Sequence, residues 1–122
     1  YAGRNDVVGS AKDTIPIVSL DGFLLKHGIS RLAMLHADTQ GHELDVLLGA
    51  TNSLSSASID YLFLSTHTNE LHRLCLERLR SNRYRILADI DLLETYSFDG
   101  LIVAQSPQLP LTQFSSLSLR GY

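Results

Sequence analysis

The stretch Leu32–Ala50, LAMLHADTQGHELDVLLGA, carries the clearest structural pattern in the chain. Leu32–Ala37 is a short apolar run that stops at Asp38, and the turn signal Thr39-Gln40-Gly41 follows it. A run of this length that is bounded by a turn favours a buried strand over a helix. From His42 the apolar period becomes that of a helix, with one face formed by Leu44, Leu47, Leu48, Thr51 and Leu54. The stretch therefore predicts a strand, a turn and an amphipathic helix.

Similar patterns lie on both sides of this stretch. A shorter helix is predicted before it, with Ser19 as its N-cap and Gly28 just beyond its end. After it, Ile59–Leu64 is a second apolar strand, and Thr68 or Asn69 can cap a further amphipathic helix. The order strand, helix, strand, helix predicts an α/β fold.

The C-terminal part of the pattern adds strands without helices between them. Tyr84–Ala88 and Leu101–Ala104 are predicted strands, and Leu92–Tyr96 is expected to extend the first or to pair with it. Asp99-Gly100 is a turn signal before the last strand. Because the apolar strands do not alternate with polar residues, we expect a sheet that helices cover on both faces.

Composition limits what the chain can do. Its 122 residues fit one domain, and 44% hydrophobic against 19% charged residues is typical of a folded protein. A net charge of -3 argues against sequence-independent nucleic-acid binding, which needs a cationic surface. No apolar run approaches the roughly 20 residues that span a bilayer. Cys75 is the single cysteine, so an internal disulfide and a zinc site made of cysteines alone are both excluded; we predict that it packs in the core.

The ends of the chain differ from its middle. Residues 1–14 are predicted to be an irregular N-terminal segment, and residues 106–122 a loosely ordered tail. The folded part is expected to be 15–105. The first residue is Tyr1 and not Met, so we expect either a processed start or a piece of a longer protein. A cytoplasmic location is expected.

Polar side chains gather where two of the predicted strands end. His36 and Asp38 lie at the end of the first strand, and Ser65 and His67 at the end of the second. Ligands of open α/β sheets bind at the carboxyl ends of the strands. If the two strands are neighbours, one edge of the sheet collects a carboxylate, two imidazoles and a hydroxyl, and Glu43 opens the next helix beside them.

Structural roles compete with functional ones for each of these residues. Asp38 can cap the following turn, and His36 can be a hydrogen-bonded core histidine. A divalent metal held by His36, Asp38 and His67 is chemically conceivable, but nothing in the spacing is diagnostic and no metal is expected. Ser65 lacks the G-x-S-x-G context of a hydrolase nucleophile. Two glycines are nowhere spaced as G-x-G, so the loop that cradles a nucleotide-type cofactor is missing.

The chain resembles the FkbM family of S-adenosylmethionine-dependent methyltransferases. Leu35–Ala50, with its D-T-Q-G-H-E run, is similar to that family's K-I-D-x-[EQ]-G-x-E signature and the x-V-L-x-G-A helix after it. Leu62–His67 resembles the strand that ends in E-x-H. The resemblance covers roughly 15–105 and includes, besides these, the segments Ile17–Asp21, Tyr84–Ile86 and Gly100–Ala104.

The resemblance implies the C-terminal half of a class I methyltransferase domain. Its Rossmann-like sheet would be mostly parallel, with an antiparallel closing strand. It implies S-adenosylmethionine as the methyl donor and a small-molecule or sugar hydroxyl as the acceptor. Asp38 or His67 would be the catalytic base that takes the hydroxyl proton. The substrate-cleft candidates are His36, Gln40, Glu43 and Ser65, and the residues that bind the cofactor stay unknown.

The chain also departs from the family pattern. His36 stands where the family usually has Lys, and Ser65 where it usually has an acid. The glycine motif and the ribose-binding acid of the family have no counterpart. The alternative to an enzyme is a non-catalytic interaction or structural domain that keeps the half-sheet, with a homo-oligomer formed through an exposed sheet edge.

Overall fold

A computed structural model describes residues 15–111 of the chain. Within that range the strand order in the sheet is β1-β2-β4-β3. The elements, in chain order, are α1 (Leu20–Lys26), β1 (Leu32–Ala37), α2 (Glu43–Leu48), α3 (Thr51–Ser55), β2 (Ile59–Thr66), α4 (Asn69–Ser81), β3 (Arg85–Ile90) and β4 (Gly100–Gln105).

The sheet is mixed. β1 and β2 pair in parallel, with Ala37 opposite Leu64, whereas β4 is antiparallel to both β2 and β3. β1, β2 and β3 therefore run in one direction, but most of the pairings are antiparallel. The expectation of a mostly parallel sheet is wrong, because the closing strand lies between β2 and β3 and so removes a parallel pairing.

The helices cover one face of the sheet. In β2, Leu62 and Leu64 are fully buried, whereas Tyr61 and Phe63, which point to the other face, are only partly buried. On that second face Met34 of β1 is 58% exposed. The main core cluster joins the first face to the helices and consists of Ala37, Leu47, Ala50, Leu54, Ile59, Leu62, Leu64, Cys75, Leu76, Leu79, Tyr84, Ile102 and Ala104. For the described residues, the expectation of helices on both faces is wrong: the strands are apolar on two sides, but helices pack against one.

Local signals at the helix ends are confirmed. The Ser19 side chain accepts a hydrogen bond from the backbone N–H of Gly22 at 3.0 Å, and Thr68 caps α4 by accepting from the N–H of Leu71, also at 3.0 Å. Gly28 follows α1 with a φ of 65°, a left-handed conformation that glycine adopts without strain. Cys75 is fully buried, as expected for a core cysteine.

The predicted single helix after Gly41 is two short helices. α2 ends at Leu48, and α3 begins at Thr51 after a break at Gly49 and Ala50. Asp21 of α1 stabilises the new start, since its carboxylate accepts hydrogen bonds from the N–H groups of Asn52 and Ser53 at 2.8 and 3.0 Å. The start of α3 is therefore stabilised by a residue that is distant in the sequence.

The segment Leu92–Tyr96 is not a strand. The Asp91 carboxylate accepts hydrogen bonds from the N–H groups of Leu93 and Glu94 at 2.9 and 3.2 Å. These local bonds fold the segment into turns and compete with strand pairing. The expectation that it extends or pairs is wrong.

Hydrogen bonds continue past β4 into the segment that was expected to be a loose tail. Ser106 is buried, and its N–H donates to the carbonyl of Asp60 at 2.8 Å. The Gln105 side-chain amide donates to the carbonyl of Pro110 at 2.8 Å. Residues 106–110 are thus tied to the sheet, whereas 1–14 and 112–122 lie outside the described residues.

Candidate functional site

Three strand ends meet at one edge of the sheet. Asp38 follows β1 and His67 follows β2, and because these strands are parallel their carboxyl ends lie side by side. β4 is antiparallel, so its amino end reaches the same edge, where Gly100 is opposite Thr66. Asp99, which precedes β4, therefore arrives at the edge from the other direction. We call the group Asp38, His67 and Asp99 the rim cluster.

A buried carboxylate orients the imidazole of His67. Glu43, at the start of α2, is fully buried, and its Oε1 accepts a hydrogen bond from Nδ1 of His67. Its other oxygen accepts from the N–H of Gly41 at 2.9 Å and from the Thr39 hydroxyl at 3.4 Å. With both oxygens engaged, Glu43 fixes the ring of His67 and leaves Nε2 facing the rim.

Nε2 of His67 faces two carboxylates. It lies 3.2 Å from Oδ1 of Asp38 and 3.6 Å from Oδ2 of Asp99. The His67 side chain is 15% exposed, while those of Asp38 and Asp99 are 46% and 36% exposed. Nε2 itself is buried and makes no hydrogen bond to a described residue. The rim cluster thus combines a shielded nitrogen with carboxylates that solvent reaches.

The surrounding carboxylates raise the pKa of His67. The hydrogen bond to Glu43 is the largest cause, burial opposes it, and the negative charges of Glu43, Asp99 and Asp38 add to the rise. Each of these carboxylates stabilises the imidazolium form more than the neutral ring. His67 is therefore a stronger proton acceptor than a histidine in water.

A second hydrogen-bonded network lies behind the rim. Thr66 Oγ1 and His72 Nδ1 are 2.7 Å apart, and His72 Nε2 is 2.8 Å from Oδ1 of Asp89. Gly100 lies against both side chains, because a Cβ there would be 2.4 Å from Oγ1 of Thr66 and 2.8 Å from Nδ1 of His72. This network links the end of β2 to α4 and β3, and Gly100 at the start of β4 packs against it.

Next to the rim lies a cavity of about 400 Å³ between the β3–β4 loop and the end of β2. Its lining includes Ser65, Asp99 and Tyr96, of which Tyr96 is 70% exposed. Asp99 belongs to both the cavity and the rim cluster, whereas His67 and Asp38 do not line the cavity. The volume suits a small molecule and not a polymer.

Comparison with known protein families matches the Methyltransferase FkbM domain over residues 5–86. The chain belongs to this family. The match covers the N-terminal part of the chain and ends within β3, whereas the resemblance was expected to continue to residue 105. No curated protein and no solved structure matches the chain.

The structure of this FkbM domain brings together some of the predicted site residues and separates others. Asp38 and His67 meet, and Glu43 joins them from beneath as a buried partner of His67. Ser65 lines the neighbouring cavity. His36 lies within β1 opposite Phe63 and is exposed, outside the rim cluster. The metal set His36, Asp38 and His67 that was considered from the sequence is therefore not assembled.

Gln40 lies in the turn after β1. It is exposed and has a φ of 56°, and Gly41 beside it has a φ of 105°. The two left-handed residues reverse the chain so that the N–H of Gly41 reaches Glu43. The side chain of Gln40 remains at the surface of the same edge.

Sequence reasoning missed Asp99. It was interpreted only as part of a turn signal, because its place at the rim depends on β4 lying beside β2. The one available signal was an acid directly before an apolar strand, which many turns share.

Among residues 15–111, no helix is long and apolar enough to cross a membrane.

Proposed function

We propose that this FkbM domain is the acceptor-binding part of an S-adenosylmethionine-dependent methyltransferase that methylates a hydroxyl group of a small molecule or sugar. The observation that carries the proposal is the pair Glu43–His67, in which a buried carboxylate orients an imidazole toward an open edge of the sheet. A base held in this way suits proton removal from a hydroxyl.

The chemistry of these residues follows from the arrangement. When bound, S-adenosylmethionine would supply the methyl group, with its carbon–sulfur bond breaking and S-adenosylhomocysteine leaving. The hydroxyl of the acceptor gives its proton to Nε2 of His67, and the electron pair of the O–H bond stays on the oxygen, which forms the new bond to carbon. Glu43 stabilises the imidazolium that results. Asp38, beside Nε2, is the second candidate for the base or for holding the hydroxyl.

The acceptor is proposed to bind in the cavity between Ser65, Tyr96 and Asp99. Its polar lining can hydrogen-bond hydroxyl groups, and the Tyr96 ring offers an apolar surface. A hydroxyl directed toward Asp99 lies near Nε2 of His67, which is 3.6 Å from that carboxylate. Asp99, which lines the cavity and lies beside Nε2, is the residue that would direct an acceptor toward the base.

The described residues could form only one side of the binding site for S-adenosylmethionine. A Cβ on Gly41 would meet nothing within 4 Å, so there is open space at the turn after β1, with Gln40 exposed beside it. No glycine-rich loop occurs among residues 15–111 that could approach a nucleotide closely. Asp38 and Gln40 would face the cofactor, and the rest of its site would come from elsewhere.

This is also why we propose that the chain corresponds to the C-terminal half of a class I methyltransferase domain. The β1-β2-β4-β3 sheet, with its antiparallel strand, supports this proposal. Within residues 15–111, β1 is an edge strand of the sheet, so further strands of a Rossmann-like sheet could add there.

Methyl transfer tests the proposal directly. The protein, and any longer natural form of it, is incubated with S-adenosylmethionine and a set of hydroxylated small molecules, and products are followed by mass spectrometry. We expect methylated product, and we expect His67→Asn to slow its formation by about 10²- to 10⁴-fold, the usual contribution of a general base. His42→Asn, an exposed histidine paired with Asp45, is the matched control and should retain activity.

Two results would contradict the proposal. One is an unchanged rate in His67→Asn. The other is the absence of S-adenosylmethionine binding, measured by calorimetry, in every form of the protein.

A second candidate is a non-catalytic domain that pairs with another copy of the chain through β1. Two observations on the described part of the chain favour it: β1 is an edge strand, and Met34 is 58% exposed on the sheet face that no described helix covers. Exposed strand edges readily add a further strand. Analytical ultracentrifugation distinguishes the two candidates, because a stable monomer that binds S-adenosylmethionine would exclude this one.

A further inference from the structure

The rim cluster has the composition of a metal site. Its three side chains offer one imidazole nitrogen and two carboxylates, and their ligand atoms all lie within 4.8 Å of one another. They come from three different strand ends, so no single turn accounts for their meeting. Asp38 and Asp99 are both acidic, so the repulsion between their carboxylates must be offset by a positive charge nearby.

The spacing fits a bound cation. Nitrogen and oxygen ligands lie about 2.0–2.2 Å from ions such as Zn²⁺, so two ligands of one ion are roughly 3.0–3.6 Å apart at ordinary coordination angles. Nε2 of His67 is 3.2 Å from Oδ1 of Asp38 and 3.6 Å from Oδ2 of Asp99. The ligand atoms of Asp38 and Asp99 lie within 4.8 Å of each other, so binding one ion would draw these two carboxylates together.

The environment of Nε2 in His67 also points to a ligand. Nε2 is buried and forms no hydrogen bond to any residue in the range 15–111, although the carboxylates of Asp38 and Asp99 lie 3.2 and 3.6 Å away, and buried polar atoms without a hydrogen bond are rare in proteins. Nδ1 of the same ring binds the fully buried Glu43. A metal-binding histidine usually donates its other nitrogen to a carboxylate in just this way, which leaves the free nitrogen available to the ion.

We propose that Asp38, His67 and Asp99 bind a divalent first-row transition-metal ion. The imidazole ligand favours Mn²⁺, Co²⁺ or Zn²⁺ over Mg²⁺ and Ca²⁺, which prefer oxygen ligands alone. Three protein ligands leave at least one coordination position open, as in catalytic sites. That position faces the side where Asp38 and Asp99 are partly exposed.

Ion binding does not depend on the proposed methyl transfer, but the two would share His67. A nitrogen that binds the ion cannot accept a proton at the same time. His67 would therefore act as the base only in the metal-free protein and as a ligand in the loaded protein. Ion binding is measured without any methyl donor, so the two proposals can fail separately.

Co²⁺ is the probe for the first test. The chelator-treated protein is titrated with Co²⁺, and binding is followed by calorimetry and visible absorption. We expect one bound ion per chain, weaker binding by about 10-fold or more in Asp99→Asn and Asp38→Asn, and no displacement by excess Mg²⁺. Asp45→Asn is the matched control, since Asp45 pairs with His42 outside the rim cluster, and its binding should be unchanged. Absent binding, or equal binding by all variants, would overturn the proposal.

A second measurement needs no variant and so cannot fail through misfolding. Substoichiometric Mn²⁺ broadens the NMR signals of imidazoles close to it. We expect the signals of His67 to broaden before those of His42, which is exposed and also lies beside a carboxylate. Broadening of His42 first, or of both together, would show binding to surface carboxylates and would overturn the proposal.

Discussion

Glu43 has the most demanding environment of the residues at the rim. A fully buried carboxylate loses its hydration, a cost of several kcal/mol that only close partners offset. The N–H of Gly41, the Thr39 hydroxyl and the ring of His67 supply those partners. The sequence indicated Glu43 as a residue of the cleft. Its role in orienting the His67 ring follows from its burial, which the sequence motif does not reveal.

The first prediction concerns this pair. Glu43→Gln should lower the pKa of His67, because an amide does not stabilise the imidazolium as a carboxylate does. The pKa is measured by NMR titration of the histidine ring in chelator-treated buffer. Glu77→Gln, at an exposed carboxylate paired with Arg73, is the control and should leave the pKa unchanged. An unaltered pKa in Glu43→Gln would show that the hydrogen bond does not form.

Cys75 should be chemically inert in the folded protein. Burial raises the pKa of its thiol to about 12, so the reactive thiolate is scarce at neutral pH. We expect no labelling by a thiol reagent at pH 8 in native conditions and full labelling in denaturant, as read by mass spectrometry. Native labelling at the denatured rate would contradict the buried position of Cys75.

Gly100 should be intolerant of any side chain. Its Cβ would lie far inside contact distance of Thr66 and His72, so Gly100→Ala must push β4 away from β2 or disturb the network behind the rim. We expect the free energy of unfolding to fall by about 1–3 kcal/mol, the usual cost of overpacking. Chemical denaturation measures it, with Gly41→Ala for comparison, where space is free but the φ of 105° causes strain.

At the scale of elements, local signals predicted the helices and strands better than they predicted the connections. The Ser19 and Thr68 caps and the apolar runs of β1 and β2 act over a few residues, so the sequence shows them directly. The break between α2 and α3 depends on Asp21, which is distant in sequence. The turns at 91–96 arise from the Asp91 side chain, whose local hydrogen bonds an apolar pattern conceals.

Asp21 should contribute more to the free energy of unfolding than an ordinary surface carboxylate does. It accepts hydrogen bonds from two N–H groups at the start of α3 and from the Ser53 hydroxyl at 2.6 Å. Asp21→Ala should reduce the free energy of unfolding by about 0.5–2 kcal/mol, the range for a lost helix cap. Denaturant melts measure this, and Glu77→Ala on the exposed face of α4 should cost less. Equal losses in the two variants would contradict the capping role.

At the scale of the whole molecule, the order of the strands was the property that sequence could not supply. The presence of β4 was predicted, but its position between β2 and β3 depends on pairing across distant segments. That position reverses the expected balance of parallel and antiparallel pairs and brings Asp99 to the rim. Asp38 and His67 could be predicted as neighbours because two consecutive parallel strands end there.

The free energy of unfolding should fall at alkaline pH because the buried Tyr84 hydroxyl resists ionisation in the folded protein. Burial raises the pKa of Tyr84 to about 12, and its hydroxyl donates a hydrogen bond to the Ile59 carbonyl at 2.7 Å. The unfolded chain loses this proton near pH 10. Stability from Tyr84 is therefore complete below pH 10 and falls from there to about pH 12, by at most about 1.4 kcal/mol per pH unit.

Tyr84→Phe tests this alkaline loss. The variant should be less stable at pH 7, because it lacks the hydrogen bond, but its free energy of unfolding should decline less steeply above pH 10. Denaturant melts across the pH range give both quantities. Tyr96→Phe, at an exposed position, should follow the wild type. Parallel declines in wild type and Tyr84→Phe would contradict the prediction.

The central place of β4 has a consequence for synthesis on the ribosome. β3 bonds to no other strand in the described sheet except β4, which is made later. A nascent chain that ends before residue 100 can form the β1–β2 pair but leaves β3 and one edge of β2 without partners. The sheet can close only after Gln105 has left the exit tunnel, so a pause in translation between β3 and β4 would prolong the time during which chaperones can bind the unpaired strands.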